Sequence, residues 1–218
     1  MRAFLAGLTL VAAACGGGSS ASPPESAPAP DTRPLSSLAA ERVLVTPTFA
    51  VRVAPDLGWS STAARSRELL QAMDADIASA LEARGLRRTW VLPPELMASY
   101  KRNPTYAPDP YALAEEPLRA PSLAKGTRLA EPLASQLRTM IALHENARLV
   151  LAPVELRIER ITSSTSAGRA TLRLALLDPR FSEARWVGEV KSDTASAFTP
   201  AMTATLAQRL VDLVLPRF

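Results

Sequence analysis

The chain has 218 residues, 47% of them hydrophobic and 21% charged, enough apolar material for one ordinary domain with a substantial core. Its formal net charge is only +4, and the 25 Lys and Arg residues are scattered among apolar ones, which speaks against nucleic acid as a partner. One cysteine and one histidine leave no internal disulfide and no metal cluster built on those ligands.

Residues 1–14 carry a cation at Arg2, an apolar run from Phe4 to Val11 and the small residues Ala12, Ala13 and Ala14, the three regions of a secretory signal peptide. At about 1.5 Å per residue the run is too short for a bilayer core of about 30 Å. Cys15 follows directly, in a pattern that resembles the lipobox of bacterial lipoproteins, with Ala12 where that motif usually has leucine. The resemblance implies lipidation of Cys15, which becomes the first residue after cleavage; its acyl chains then bind the membrane. Gly16, next in line, is compatible with outer-membrane sorting. From Gly16 the chain is Gly, Ser, Ala and Pro with few large apolar residues, so residues 15–40 are expected to form a disordered tether and 41–218 a single domain.

Within that domain Arg42–Thr46 is a short apolar strand stopped by Pro47. Leu69, Met73, Ile77 and Leu81 recur every four residues and predict a helix from Thr62 to Arg84, with Gly85 as its stop. Thr89–Leu92, bounded by Pro93 and Pro94, reads as a second strand, so the segment has the parts of a parallel crossover. A helix is expected over Leu129–His144. Three strands follow, Leu149–Ile161, Arg169–Asp178 and Arg185–Lys191, as an antiparallel meander; in the first, Val154, Leu156 and Ile158 alternate with Glu155, Arg157 and Glu159, predicting one buried and one wet face. Thr199 and Pro200 open a last helix that Pro216 ends. The expected fold is α/β (α+β): a mixed sheet with an antiparallel C-terminal meander and amphipathic helices packed on it.

The lipoprotein signal, the strand VLVTP, the helix end LEARG, the strand ARLVLAPVEL, the strand end LLDPR and the tryptophan strand ARWVGEV together resemble the periplasmic lipoproteins related to the N-terminal domain of TolB, a group that includes CsgG and LpoB. The likeness spans most of residues 41–215, with Asp178 and Trp186 as its sharpest feature. It implies a domain used for protein contacts in envelope assembly or secretion, without chemistry of its own.

Little else in the chain points to catalysis. His144 lies near a helix end, where an imidazole can bond terminal carbonyls. Gly16–Gly18 lacks the strand before it and the Gly-Lys-Ser/Thr after it that a phosphate loop needs. Glu115 and Glu116 fall in a loop, Asp74 and Asp76 on an expected exposed helix face. Asp178 is expected to accept bonds from its own turn and Trp186 to fill the core, both as structural residues. No metal or cofactor is expected. The unusual stretch is the long Pro/Tyr-rich loop at 100–128, which holds all three tyrosines, Tyr100, Tyr106 and Tyr111; such a loop is a candidate partner-binding surface, or else a strap on its own domain. The reading is therefore a non-enzymatic protein-interaction lipoprotein, lipid-anchored to a bacterial membrane and facing the periplasm, with the outer membrane favoured. Its alternatives are a subunit of an oligomeric CsgG-like secretion channel and a periplasmic enzyme using carboxylates. The envelope partner is unspecified, and self-assembly into a homo-oligomer stays open.

Overall fold

The computed structural model describes residues 33–59, 62, 64–145, 147–161 and 167–215; Cys15, the signal segment and most of the tether lie outside the described residues. Five strands form one mixed sheet: β1 (Val43–Val45), β2 (Ala50–Val53), β3 (Leu149–Arg160), β4 (Gly168–Asp178) and β5 (Glu183–Ala195). β3, β4 and β5 run as an antiparallel meander, as expected, and both β1 and β2 pair in parallel with β3. Around them stand α1 (Ser66–Ala83), α2 (Pro93–Arg102), α3 (Leu133–Leu143) and α4 (Pro200–Asp212).

The sheet carries a core on each face. On one, Leu69, Met73, Ile77 and Leu81 of α1 and Met202, Leu206 and Leu210 of α4 cover Leu151, Leu156, Ile158, Leu172 and Leu174. At one end of this layer Arg84 of α1 meets Asp212 of α4 at 2.8 Å. On the other, Leu133, Leu137 and Met140 of α3, together with Leu96 of α2 and Leu113, Leu118 and Leu123 of the long loop, cover Val150, Ala152, Val154, Ala175 and Leu177. Leu156, Ile158 and Leu172 are fully buried under the first helix layer.

Two expectations change. The domain begins before residue 41: residues 36–40 form a 3-10 turn, Leu35 and Leu38 are 1% exposed, the Leu35 N–H donates to Leu213 at 3.1 Å, and the buried Trp90 indole N–H donates to the Leu38 carbonyl at 3.3 Å. Two buried leucines recover roughly 1.5–3 kcal/mol each, which the Gly/Ser/Pro stretch before them could not. Thr89–Leu92 is not a strand; only Val91 bridges, in parallel, to Leu44. Pro93 and Pro94 open α2 instead, where the missing N–H groups cost no bond, and Glu95 reaches back to accept from the Leu92 N–H at 3.1 Å. After α2, residues 103–128 run as a strap against the second core, the alternative named above for the Pro/Tyr-rich loop, with a 3-10 turn at Glu116–Arg119. Arg173 of β4 donates to the carbonyls of Arg119, Ala120 and Leu123 at 3.3, 3.0 and 3.4 Å and pins it to the sheet.

Candidate functional site

β1 and β2 run along the same side of β3, separated by Thr46–Phe49. Pro47 has no N–H to give a ladder, so the chain steps out here, directly opposite an extra residue in β3 between Pro153 and Glu155. Thr46 and Phe49 still donate to Leu151 and Pro153, at 3.1 and 3.2 Å. The Thr48 N–H between them has lost its strand partner, and Asp74 of α1 accepts it at 2.8 Å along with the Thr48 hydroxyl at 2.7 Å. A proline-induced break in the sheet edge is thus sealed by one carboxylate.

Beside that seal lies a cleft of about 510 Å³. Thr48 and Phe49 form one wall, Arg67, Gln71 and Asp74 of α1 another, and Tyr111 and Glu115 of the strap the third. The strap is held on both sides of Tyr111. Its own N–H donates to Asp109 at 2.9 Å in an Asx turn, and the Ala114 N–H donates to Gln136 of α3 at 2.9 Å. Glu115 pairs with Arg119 at 3.4 Å.

The electrostatics follow from burial. Removal from water raises the Asp74 pKa above its ordinary 3.8, and the two bonds from Thr48 offset only part of that. The Tyr111 phenol is raised by burial first and then by the negative charges of Asp74 and Asp109, so its hydroxyl stays a neutral donor and acceptor. The cleft therefore offers an aromatic wall, a shielded carboxylate and a guanidinium at its rim. Among the described residues, no group of three or more His, Cys, Asp or Glu side chains could hold a metal ion.

The tyrosines are not one cluster. Tyr100 is half-buried on α2, whereas Tyr106 and Tyr111 lie on the strap, 77% and 59% exposed. Asp74 is no exposed helix residue but the floor of the cleft, and Glu115 joins it there; no hydrophobic periodicity marks that meeting, because the positions are 41 apart in sequence. The only local signal was Pro47 itself, whose lost donor implied a break. Asp178 and Trp186 sit at a different end of the molecule. Asp178 is 1% exposed and accepts from the Arg180 backbone N–H at 3.2 Å and from its guanidinium at 3.0 and 2.8 Å, while Trp186 is half-buried against the first core. His144 caps α3 through its backbone N–H to Ile141; burial, then Arg42 and Arg102, lower its pKa, and no ring bond to a terminal carbonyl is seen among the described residues. Cys15 lies outside the described residues.

The geometry defines an α+β domain with a small polar cleft at a broken sheet edge. No protein-family model matches the chain, and no characterised protein sequence does. Two solved PelC dodecamers from Paraburkholderia phytofirmans, one of them a point variant, are distantly similar. One shares 14% identity over 81% of this chain and 89% of PelC, the other 12% over 79% and 87%, each with a TM-score of 0.37. Among the described residues no helix is long and apolar enough to cross a membrane.

Proposed function

We propose that the chain is a lipoprotein, acylated at Cys15 and facing the periplasm from the outer membrane, whose domain is a non-catalytic protein-interaction module in envelope assembly or secretion. The observation that carries the interaction reading is the strap. Two exposed tyrosines, Tyr106 and Tyr111, stand on a segment whose leucines are locked in the core, so a partner meets an ordered amphipathic surface at low entropic cost. The anchor rests on the lipobox resemblance and the envelope role on the TolB-like one. Photo-crosslinking in cells from a probe at Lys101, with Tyr106→Ser/Tyr111→Ser as the comparison, tests it. Capture of one dominant envelope protein that the double variant loses, with an unchanged melting temperature, is the expected result. Equal capture by both forms sinks it.

A second reading draws on Asp74 and Glu115 lining one cleft, the arrangement that carboxylate catalysis requires. Both acids are already engaged, Asp74 by Thr48 and Glu115 by Arg119, which favours the binding role.

A further inference from the structure

We infer that the end of the domain built around the β4–β5 turn, residues 179–182, docks on the anionic headgroups of the bilayer that holds the lipid anchor. The described chain starts at this end. Pro34 and Ser37 share a hollow of about 390 Å³ with Lys125, Arg148, Arg180 and Trp186. The seventeen residues between Cys15 and Arg33 span at most about 60 Å when fully extended, so an anchor at Cys15 keeps this end within reach of the membrane. That step rests on the lipoprotein reading above.

The chemistry of the face fits a bilayer surface. Phe181 is 56% exposed at the tip of the turn, with the Arg180 guanidinium 5.4 Å from its ring centroid. Arg128 donates to the Phe181 carbonyl at 3.1 Å and Arg138 to the Ser182 hydroxyl at 2.7 Å, so the turn is held out by arginines rather than folded back. Six cations, Lys125, Arg128, Arg138, Arg148, Arg180 and Arg185, meet four carboxylates here. Three of those acids are used internally: Asp178 by Arg180, Glu183 by Arg185 and Glu131 by Arg138; the fourth is Glu41. Lys125, Arg128 and Arg148 are exposed and have no ion pair among the described residues. An apolar tip beside a basic hollow, with Lys125, Arg128 and Arg148 free of ion pairs among the described residues, is the composition of an interfacial membrane contact.

The test is co-sedimentation of the chain from residue 15 onward, carrying Cys15→Ser so that no acyl chain contributes, with phosphatidylcholine vesicles that contain or lack phosphatidylglycerol. This form keeps the whole folded unit. Binding is expected only with phosphatidylglycerol, weakening as salt rises. At about fivefold per cation near an anionic surface, Lys125→Gln/Arg148→Gln should bind roughly 25-fold less. Phe181→Ser should lose several-fold with no change in melting temperature, since the ring is largely exposed. Lys101→Gln/Arg88→Gln, which removes the same charge elsewhere, should bind as the unaltered chain does. Equal sedimentation with and without phosphatidylglycerol overturns the inference. So does equal loss in the two double variants, which would mean that net charge acts and not this face. Incorporation of labelled palmitate at Cys15 tests the anchor separately, and its failure would leave the vesicle result intact.

Discussion

Replacing Asp178 with alanine removes three hydrogen bonds at the mouth of the β4–β5 turn, one from the Arg180 backbone and two from its guanidinium. The backbone bond to a charged acceptor is worth about 1.5 kcal/mol or somewhat more. The ion pair is discounted to about 1 kcal/mol, because the Arg180 side chain is 44% exposed and its charge is well solvated without a partner. The expected loss is therefore about 2–3 kcal/mol, or about 5–10 °C in melting temperature for a domain of this size. Arg180→Ala should cost at least as much, since it strands a carboxylate that is only 2% exposed with a single N–H for company. In the Asp178→Ala background the same arginine substitution should cost little more than about 0.5 kcal/mol. Thermal unfolding followed by circular dichroism on the two single variants and the double variant closes the cycle. Additive losses, or an unchanged melt for Asp178→Ala, would refute the structural role argued for this pair.

Asp74→Asn keeps an acceptor for the Thr48 N–H and removes the buried charge. Because the folded pKa lies above the ordinary 3.8, the folded state holds the extra proton, and wild-type stability falls as pH rises from that value through the raised one. The variant should therefore gain on the wild type at pH 7 in a thermal melt and lose that gain below about pH 3.8; a deficit at pH 7 would show that the Thr48 bonds outweigh burial. Gly188→Ala puts a methyl 2.2 Å from Trp186 Cζ2 and 2.5 Å from Cη2, and should cost about 1–3 kcal/mol with a red shift in tryptophan emission as the ring swings off the sheet. An unaltered melt and spectrum would contradict the close stacking of that ring. Leu38→Ala should cost about 2–5 kcal/mol, as for any fully buried leucine, whereas a residue of a solvated tether would cost nothing.

The layers of this fold were legible because apolar periodicity reports which face is covered. Met73, Ile77 and Leu81 needed no neighbour to announce a buried stripe, and the structure buries all three. What was not legible depends on pairings far apart in sequence. Pro47 and Pro93 are both donors lost from the backbone, yet one interrupts a sheet edge that resumes as β2 and the other starts a helix. Nothing local separates the two outcomes, because β2 exists only through its pairing with β3 about a hundred residues away. The cleft was hidden for the same reason. Asp74 reads as a solvated helix acid until the break at Thr48 is placed across from it.

The alternation in β3 shows how one extra residue redirects a surface. Val154, Leu156 and Ile158 share a parity and read as one buried face, yet Val154 lies in the second core while Leu156 and Ile158 lie in the first. The register shift between Pro153 and Glu155 accounts for it: Pro153 pairs with Leu174 and Glu155 with Arg173, leaving Val154 as the inserted residue, after which every side chain changes face. Glu155, Arg157 and Glu159 consequently follow Ala152 and Val154 onto the side of α3 and the strap. That cover ends where Arg173 pins it, so beyond the bulge the sheet carries charges in place of apolar residues. Arg52 meets Glu155 at 3.1 Å, and Arg157 meets Glu189 of β5. The same inserted residue stands opposite the Pro47 break, so a single bulge both moves the charged residues of β3 to the other face, with Glu155 buried there and only Glu159 exposed, and makes the gap that the Thr48–Asp74 bonds close.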